Sequence, residues 1–135
     1  MKQIVVAIVG TGWCGGIRAE TCAAHPLTKS LHIAEIRPER LAEVARATGA
    51  KTAVTDYGEL LKMGEIEAVY ISATPETTHY PMARDWLAAG KHVFLEKPIA
   101  MELSEPLRAK VAGVPDQVRG ETFLEQLAVA KAARS

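Results

Sequence analysis

Short apolar runs alternate along the chain with longer segments in which apolar positions recur at helical spacing. A short run rich in β-branched residues predicts a buried strand, and apolar positions three and four residues apart predict an amphipathic helix. Strands that alternate with helices form a parallel sheet covered on both faces. We therefore predict an α/β fold with a doubly wound parallel sheet in three layers. The predicted strands are Ile4–Val9, Leu31–Ile36, Ala53–Thr55, Ala68–Ser72 and His92–Leu95.

Helices are predicted in the intervals between these strands. The first spans Cys14–Ala24, and the second ends at Thr48, where Gly49 provides a C-cap. The third spans Tyr57–Met63 after a capping residue, Asp56. The fourth begins at Thr78 or His79 and ends near Ala89.

Three glycines directly after the first strand have the spacing G-x-G-x-x-G. Gly10 permits a tight turn off the strand, and Gly12 has no side chain to keep a pyrophosphate from the backbone. Gly15 allows the following helix to pack closely on the strand. The free N–H groups and the positive dipole end of that helix would face the phosphates.

An acid at the end of the second strand strengthens this interpretation. Glu35 follows Gly15 by about 20 residues, the distance at which a dinucleotide-binding βαβ unit presents a carboxylate to the adenosine ribose. The alternative is a tight strand–helix turn with no ligand. The order of strand, glycines, helix and acid favours a Rossmann-type dinucleotide site, where ligands bind at the carboxyl ends of the strands.

Composition narrows the class of protein without identifying it. A length of 135 residues suits one domain, and 16 basic residues balance 16 acidic ones, so we expect no bulk attraction to nucleic acid or membrane. A strand that starts within three residues of the N-terminus leaves no room for a signal peptide. Cys14 and Cys22 lie too far apart on one helix for a disulfide, which favours a cytoplasmic location. His25, His32 and His92 show no metal-ligand spacing with the cysteines, so no metal site is predicted.

Several motifs together resemble the N-terminal domain of the glucose–fructose oxidoreductase / inositol dehydrogenase family, also called Gfo/Idh/MocA. They cover about residues 3–103, and the E-K-P after the last strand is the most specific of them. One departure is Glu76, where the family usually has asparagine. The matching segments are GTGWCG (Gly10–Gly15), TDYGELL (Thr55–Leu61), ATPETTH (Ala73–His79) and AAGKHVFLEKP (Ala88–Pro98).

This resemblance implies an oxidoreductase that transfers hydride between NAD or NADP and a hydroxyl or carbonyl substrate such as a sugar or polyol. Lys97 would be the catalytic residue, hydrogen-bonding the reacting oxygen, where a cation stabilises alkoxide charge. On spacing alone, Lys97 would merely pair with Glu96 or with the strand ends. The residues implied to bind the cofactor are Gly10, Thr11, Gly12, Trp13, Cys14, Gly15, Glu35, Arg37, Ala73, Thr74, Pro75, His79, Glu96, Lys97 and Pro98.

The choice between the two cofactors depends on Glu35 and its neighbours. A carboxylate accepts hydrogen bonds from the ribose hydroxyls of NAD and repels the 2′-phosphate of NADP. Arg37 and Arg40 could instead hold that phosphate, or be solvated charges at a helix start. We expect NAD, with NADP possible. Trp13 either covers the cofactor or fills the domain edge.

The C-terminal part departs from the family pattern, in which E-K-P leads into a second, substrate-binding domain. Here Ser104–Ala112 and Gly120–Ala133 are predicted helices around a turn at Val114–Asp116, and the last helix resembles the one that ends full-length members. We expect a dinucleotide-binding domain over residues 1–113 and a C-terminal turn and helix, packed back on it, over 114–135.

On this view the substrate domain is absent, small substrates bind poorly, and turnover is weak or nil. An exposed apolar face should then cause homo-oligomerisation. The alternative function is a non-catalytic dinucleotide-binding or sensory module.

Overall fold

The computed structural model describes residues 2–101, and the predictions for residues 102–135, including both C-terminal helices, the turn and the domain boundary, lie outside them. Within residues 2–101, strands and helices alternate in the predicted order. The strands are β1 (Ile4–Val9), β2 (Thr28–Ala34), β3 (Thr52–Val54), β4 (Ala68–Ile71) and β5 (His92–Leu95). The α-helices are α1 (Trp13–Ala24), α2 (Pro38–Thr48), α3 (Tyr57–Leu61) and α4 (His79–Ala88), and a 3-10 helix spans Glu76–Thr78.

The five strands form one parallel sheet in the order β3-β2-β1-β4-β5. The last residue of β1, Val9, is in register with Ala34 at the end of β2 and Ile71 at the end of β4. Backbone hydrogen bonds continue one residue further, from Gly10 N–H to the Ala34 carbonyl and from Ser72 N–H to the Val9 carbonyl, both at 2.8 Å. The segments that follow these strands therefore begin side by side at one edge.

Alternate residues of β1 face opposite sides of the sheet, as the strand period of two requires. Val5, Ala7 and Val9 belong to a core that includes the fully buried Trp86 of α4 and Leu60 of α3. Val6 and Ile8 belong to a second core with α1 and α2, through Ala19, Leu41 and Val44. Two cores on the two faces confirm the predicted three-layer, doubly wound α/β fold.

The bounds of β1 and β5 were predicted correctly, and those of several other elements differ from the prediction by one to three residues. The largest shift is in β2. Its first three residues, Thr28–Ser30, are polar and were therefore not predicted to be part of a strand. Ile36 was predicted to belong to the strand but lies beyond its end and is exposed. Both predicted caps are present: the Asp56 carboxylate accepts a hydrogen bond from Gly58 N–H at 2.8 Å, and Gly49 has φ = 65°.

Candidate functional site

The glycine loop between β1 and α1 is shaped by two contacts that leave no room for a side chain. Gly10 has φ = 83°, and a Cβ there would lie 2.5 Å from Ala73 Cα. A Cβ on Gly15 would lie 1.9 Å from the Gly10 carbonyl oxygen, so α1 packs directly against the turn. These two glycines fix the loop against the ends of β1 and β4.

Gly12 differs from its two neighbours because nothing lies within 4 Å of the position its Cβ would occupy. It is the N-cap of α1, and no side chain accepts a hydrogen bond from the first N–H groups of this 12-residue helix. Uncapped N–H groups beside open space suit an anion such as a pyrophosphate. The loop therefore fits the phosphates of a dinucleotide.

Glu35, directly after β2, is bound to the glycine loop and is only 4% exposed. Its Oε2 accepts hydrogen bonds from Thr11 N–H at 2.8 Å and from Thr11 Oγ1 at 2.9 Å. Its Oε1 accepts from the backbone N–H of Arg37 at 3.1 Å and from Arg37 Nε at 3.0 Å. Oε2 also accepts from the terminal Arg37 nitrogen Nη2 at 3.5 Å, so Oε1 has two protein donors and Oε2 three, and the acid holds the loop against the end of β2.

This network holds Glu35 in its charged form. Burial raises the pKa of the carboxyl, but the hydrogen bonds from Arg37 and Thr11 outweigh burial and bring the pKa to about 2. The Arg37 pKa rises in turn, because the guanidinium donates to the carboxylate. Glu35 is therefore ionised at neutral pH, and the Arg37 guanidinium compensates its charge.

The two arginines that the sequence left open have different environments. Arg40 donates from Nε to the Thr11 carbonyl at 2.8 Å and pairs with Glu43 at 2.8 Å. It braces the outside of the glycine loop. Arg37 keeps its ion pair with Glu35 while its side chain remains 61% exposed at the groove. Of the two, Arg37 is the one available to a ligand.

A groove of about 260 Å³ runs along the carboxyl ends of β1, β2, β3 and β4. It brings together seven of the residues predicted to bind the cofactor: Gly10, Gly12, Glu35, Arg37, Ala73, Thr74 and Pro75. Thr55 and Ser72 also line the groove and were not predicted. Both directly follow a strand, so their position at the carboxyl edge was the signal that could have identified them.

Four other predicted residues of this region lie around the groove rather than in its lining. Thr11 is buried and holds Glu35, and Gly15 forms the contact with Gly10. Trp13 is 84% exposed and Cys14 is an exposed free thiol, both in the first turn of α1. Trp13 therefore does not fill the domain edge within residues 2–101.

His79 is buried behind the loop that follows β4. Its Nε2 lies 2.8 Å from the Ala73 carbonyl oxygen, and its Nδ1 lies 2.7 Å from the Pro98 carbonyl oxygen. It contacts two backbone segments of the site and is absent from the lining of the groove.

The Glu96–Pro98 segment follows β5, next to β4 at the edge of the groove. Tyr70 Oη donates a hydrogen bond to Glu96 Oε2, and this bond lowers the Glu96 pKa. Burial and the same contact raise the Tyr70 pKa. Lys97 is exposed, and no side chain of residues 2–101 forms an ion pair with its Nζ. The pairing of Lys97 with Glu96 that spacing alone favoured is not formed.

Residues 2–101 contain no cluster of three or more His, Cys, Asp or Glu side chains able to hold a metal ion. They also contain no helix long and apolar enough to cross a membrane.

Comparison with known proteins identifies the family. Residues 4–113 match the model of the oxidoreductase family GFO_IDH_MocA, described as an NAD-binding Rossmann fold. Inositol 2-dehydrogenase from Rubrobacter xylanophilus is 35% identical over 100 residues, which are 73% of this chain and 28% of that protein. The chain therefore belongs to the Gfo/Idh/MocA family and is an NAD-binding Rossmann domain of the kind found in its oxidoreductases.

Solved structures agree with this assignment. The scyllo-inositol dehydrogenase of Lactobacillus casei with NAD(H) and scyllo-inositol has a TM-score of 0.73 and 30% identity, over 81% of this chain and 32% of its own. A 3-ketoreductase from Actinomadura kijaniata with TDP-benzene and NADP has a TM-score of 0.68 and 27% identity, over 97% and 36%. The present chain spans about a third of the length of the proteins it matches.

Proposed function

We propose that this member of the Gfo/Idh/MocA family holds a nicotinamide dinucleotide in the groove, with the pyrophosphate over Gly12 and the adenosine ribose beside Glu35 and Arg37. The observation that carries this proposal is the open space at Gly12, next to the uncapped start of α1. The Ala73–Pro75 loop would lie along the middle of the cofactor. Trp13 and Cys14, in the exposed first turn of α1, would contact it from outside the groove.

The nicotinamide end is proposed to lie toward the Glu96–Pro98 segment, because β5 is the next strand beyond β4. There Lys97 would donate a hydrogen bond to the substrate oxygen that exchanges hydride with the cofactor. Its exposed ammonium has no ion pair within residues 2–101, so it is available to stabilise a developing alkoxide. Glu96, bound to Tyr70, would set the position of Lys97 through the adjoining backbone.

NAD is proposed as the preferred cofactor, with NADP also accepted. The negative charge of Glu35 favours a ribose diol over a 2′-phosphate. The exposed Arg37 guanidinium, 3.0 Å from that carboxylate, offsets part of this preference. The structural relatives include complexes with NAD(H) and with NADP.

The chain as it stands is proposed to bind cofactor and to turn over sugars or polyols slowly or not at all. Hydride transfer needs the substrate carbon about 3–3.5 Å from the nicotinamide, held by several groups. In the relatives, about two thirds of the length lies beyond the matched part. We place the dinucleotide-binding domain at residues 1–113 and a C-terminal turn and helix at 114–135.

A non-catalytic dinucleotide-binding or sensory module is the second candidate. The short coverage of the relatives favours it, because about two thirds of their length, where further groups around the substrate would lie, is beyond the matched part. An NAD-coupled assay over a panel of polyols distinguishes the two: turnover that disappears in Lys97→Met, with cofactor affinity unchanged, supports an oxidoreductase.

The proposed location is the cytoplasm, where Cys14 and Cys22, both free in the structure, stay reduced. Self-association is also proposed, because Phe94, Ile99 and Met101 expose apolar surface beside and beyond β5. Sedimentation of the full chain tests this, and a monomer at all concentrations would contradict it.

The proposed cofactor site is tested by Gly12→Val. Nothing in the protein lies within 4 Å of the Cβ position at Gly12, so we expect the stability to be unchanged. The valine would occupy the place proposed for the pyrophosphate. We expect a loss of NAD⁺ affinity of about 100-fold by calorimetry, the scale of several charge-assisted hydrogen bonds.

The matched control for Gly12→Val is Gly64→Val, which also enters open space but lies outside the groove. It should bind NAD⁺ as the wild type does. Equal affinities in the two variants would contradict the placement of the cofactor.

A further inference from the structure

His79 is a buried histidine whose two ring nitrogens both face carbonyl oxygens. Only 2% of the residue is exposed. The contacts are at 2.8 Å from Nε2 to the Ala73 carbonyl and at 2.7 Å from Nδ1 to the Pro98 carbonyl. A carbonyl oxygen accepts hydrogen bonds and donates none. Both contacts are hydrogen bonds only if each nitrogen carries a proton.

A neutral imidazole cannot satisfy this arrangement, because it has one N–H and one lone pair. In either tautomer, one of the two contacts would set a lone pair against a lone pair at hydrogen-bond distance. A buried acceptor left without its donor is costly. The imidazolium ion is the form of His79 that matches both carbonyls.

The two carbonyls belong to different segments of the site. Ala73 lines the groove after β4, whereas Pro98 ends the Glu96–Pro98 segment after β5. These segments are the ones proposed to contact the cofactor and to carry Lys97. The His79 ring is a direct link between them.

We propose that His79 is a positioning residue that acts as an imidazolium: its two N–H groups tie the Ala73 loop to the Lys97 segment, and loss of one proton releases one segment and weakens cofactor binding. The proposal rests on the proposed function, since it takes the Ala73 loop as a contact of the dinucleotide. It makes a buried group outside the groove the source of a pH response of cofactor binding.

Within residues 2–101, the positive charge proposed for the His79 ring is stabilised by the two carbonyl dipoles and by no carboxylate. No carboxylate within residues 2–101 is recorded within ion-pair distance of the ring. Asp85 of α4 is engaged by Tyr57 and Arg84, and Glu96 by Tyr70. The other ionisable groups on the neighbouring segments are Glu76 of the 3-10 helix, Tyr80 of α4 and Lys97 after β5.

Glu35 cannot produce the same pH response. With a pKa of about 2 it stays ionised throughout the neutral range. A change of affinity between mildly acidic and mildly alkaline buffer therefore reports another group.

The first measurement is the affinity of the full chain for NAD⁺ from about pH 5 to 8. The wild-type affinity should fall by about tenfold as the pH rises, the effect of losing one hydrogen bond to a charged group. His79→Gln should bind weakly at all pH values, without this fall. The control is His92→Gln, an exposed histidine at the other end of the sheet, which should follow the wild type.

The second measurement is nitrogen-15 NMR of the histidine rings in the wild-type chain without cofactor. Single replacements of His25, His32 and His92 assign the four signals, leaving His79. Both His79 nitrogens should be protonated at the acidic end, and the second proton should leave over the pH range in which affinity falls. This comparison uses the wild type, so it remains decisive if His79→Gln does not fold.

Two results would overturn the proposal: a neutral His79 ring at the pH of tightest binding, or an unchanged pH dependence in folded His79→Gln. If NAD⁺ does not bind at any pH, the proposed function fails. The NMR titration then decides separately whether His79 carries two protons, and a neutral ring overturns that as well.

Discussion

The two sides of the groove are built in different ways. On the side of β1 and β2, the geometry is set by backbone contacts of glycines and by Glu35, whose partners are nearby in the loop and directly after the strand. On the side of β4 and β5, it is set by side-chain hydrogen bonds between segments, from His79 to Pro98 and from Tyr70 to Glu96. Close backbone contacts therefore fix the first side, whereas the second depends on a few side-chain hydrogen bonds.

The largest expected effect is a difference in folding stability between Gly15→Ala and Gly12→Ala, the same substitution at two glycines of the first side. Gly15→Ala places a methyl group 1.9 Å from the Gly10 carbonyl oxygen, which forces α1 away from β1. Overpacking of this kind costs about 1–3 kcal/mol, and a contact with backbone lies at the upper end. Gly12→Ala meets nothing within 4 Å and should leave stability within about 0.5 kcal/mol.

Urea unfolding of both alanine variants measures this contrast. Equal stabilities would show that close packing at Gly15 does not define the loop. Relative to the stability lost, Gly12→Ala should weaken cofactor binding more than Gly15→Ala does, since of these two glycines only Gly12 lines the groove.

The next effect is the pH dependence that Glu35 gives to the first side. Its pKa in the folded chain, about 2, lies below its ordinary value of 4.5, so the unfolded chain binds the proton more readily. The stabilisation is complete above about pH 5 and is lost as the pH falls toward 2, amounting to about 2–3 kcal/mol. Glu35→Gln should unfold more easily at pH 7 and lose less stability between pH 5 and 3.

If Glu35→Gln lost as much stability in acid as the wild type does, another group would be responsible for the acid sensitivity. Thr11→Val is the matched variant, because it removes one donor to the carboxylate and leaves the acid in place. It should retain the same direction of pH dependence with a smaller amplitude.

The same contrast explains what the sequence could and could not predict. The G-x-G-x-x-G spacing and the position of Glu35 were sufficient for the first side, because each requirement there is local: a turn, a close helix, an acid after a strand. The saturation of Glu35 by Thr11 and Arg37 was not predicted, since spacing does not reveal how a carboxylate is solvated. It follows from register, which brings the ends of β1 and β2 together.

On the second side the order of elements was predicted and the contacts were not. His79 was expected along the cofactor because of a motif, but its burial depends on α4 packing over β4. The Tyr70–Glu96 bond joins two strands whose pairing no local pattern specifies. Hydrophobic periodicity predicts the individual elements, but it does not predict contacts between segments that are distant in sequence.

A smaller effect concerns the choice of cofactor. Arg37 compensates the charge of Glu35 and is exposed at the groove, so Arg37→Met should leave the carboxylate to repel a 2′-phosphate. We expect the ratio of NAD to NADP affinity to rise about fivefold to tenfold, the scale of one exposed charge contact. Calorimetry with both cofactors measures the ratio, and Arg46→Met, on the last turn of α2, is the control. If the ratio fell below that of the wild type, Arg37 would contribute mainly to the binding of NAD.

The smallest effect tests the second side at Tyr70. Tyr70→Phe keeps the ring and its stacking on Phe94 at 4.9 Å, and removes the hydrogen bond of the hydroxyl to Glu96 together with its hydrogen bond with Arg18. Stability at pH 7 should fall by about 0.5–1.5 kcal/mol, the usual net value of one hydrogen bond. The Glu96 pKa should rise toward its ordinary value, because this bond is the main cause of its depression.

The sign of the second-side effect follows from that pKa. Because the pKa of Glu96 is lower in the folded chain than in the unfolded chain, the ionised carboxylate stabilises the fold at a pH above its ordinary pKa, and this stabilisation is lost as the pH falls. The stabilities of the wild type and Tyr70→Phe should therefore converge in acid. Urea unfolding at pH 7 and pH 3 measures the convergence. A difference that persists in acid would mean that the hydroxyl stabilises the fold through packing or through Arg18 rather than through the charged Glu96.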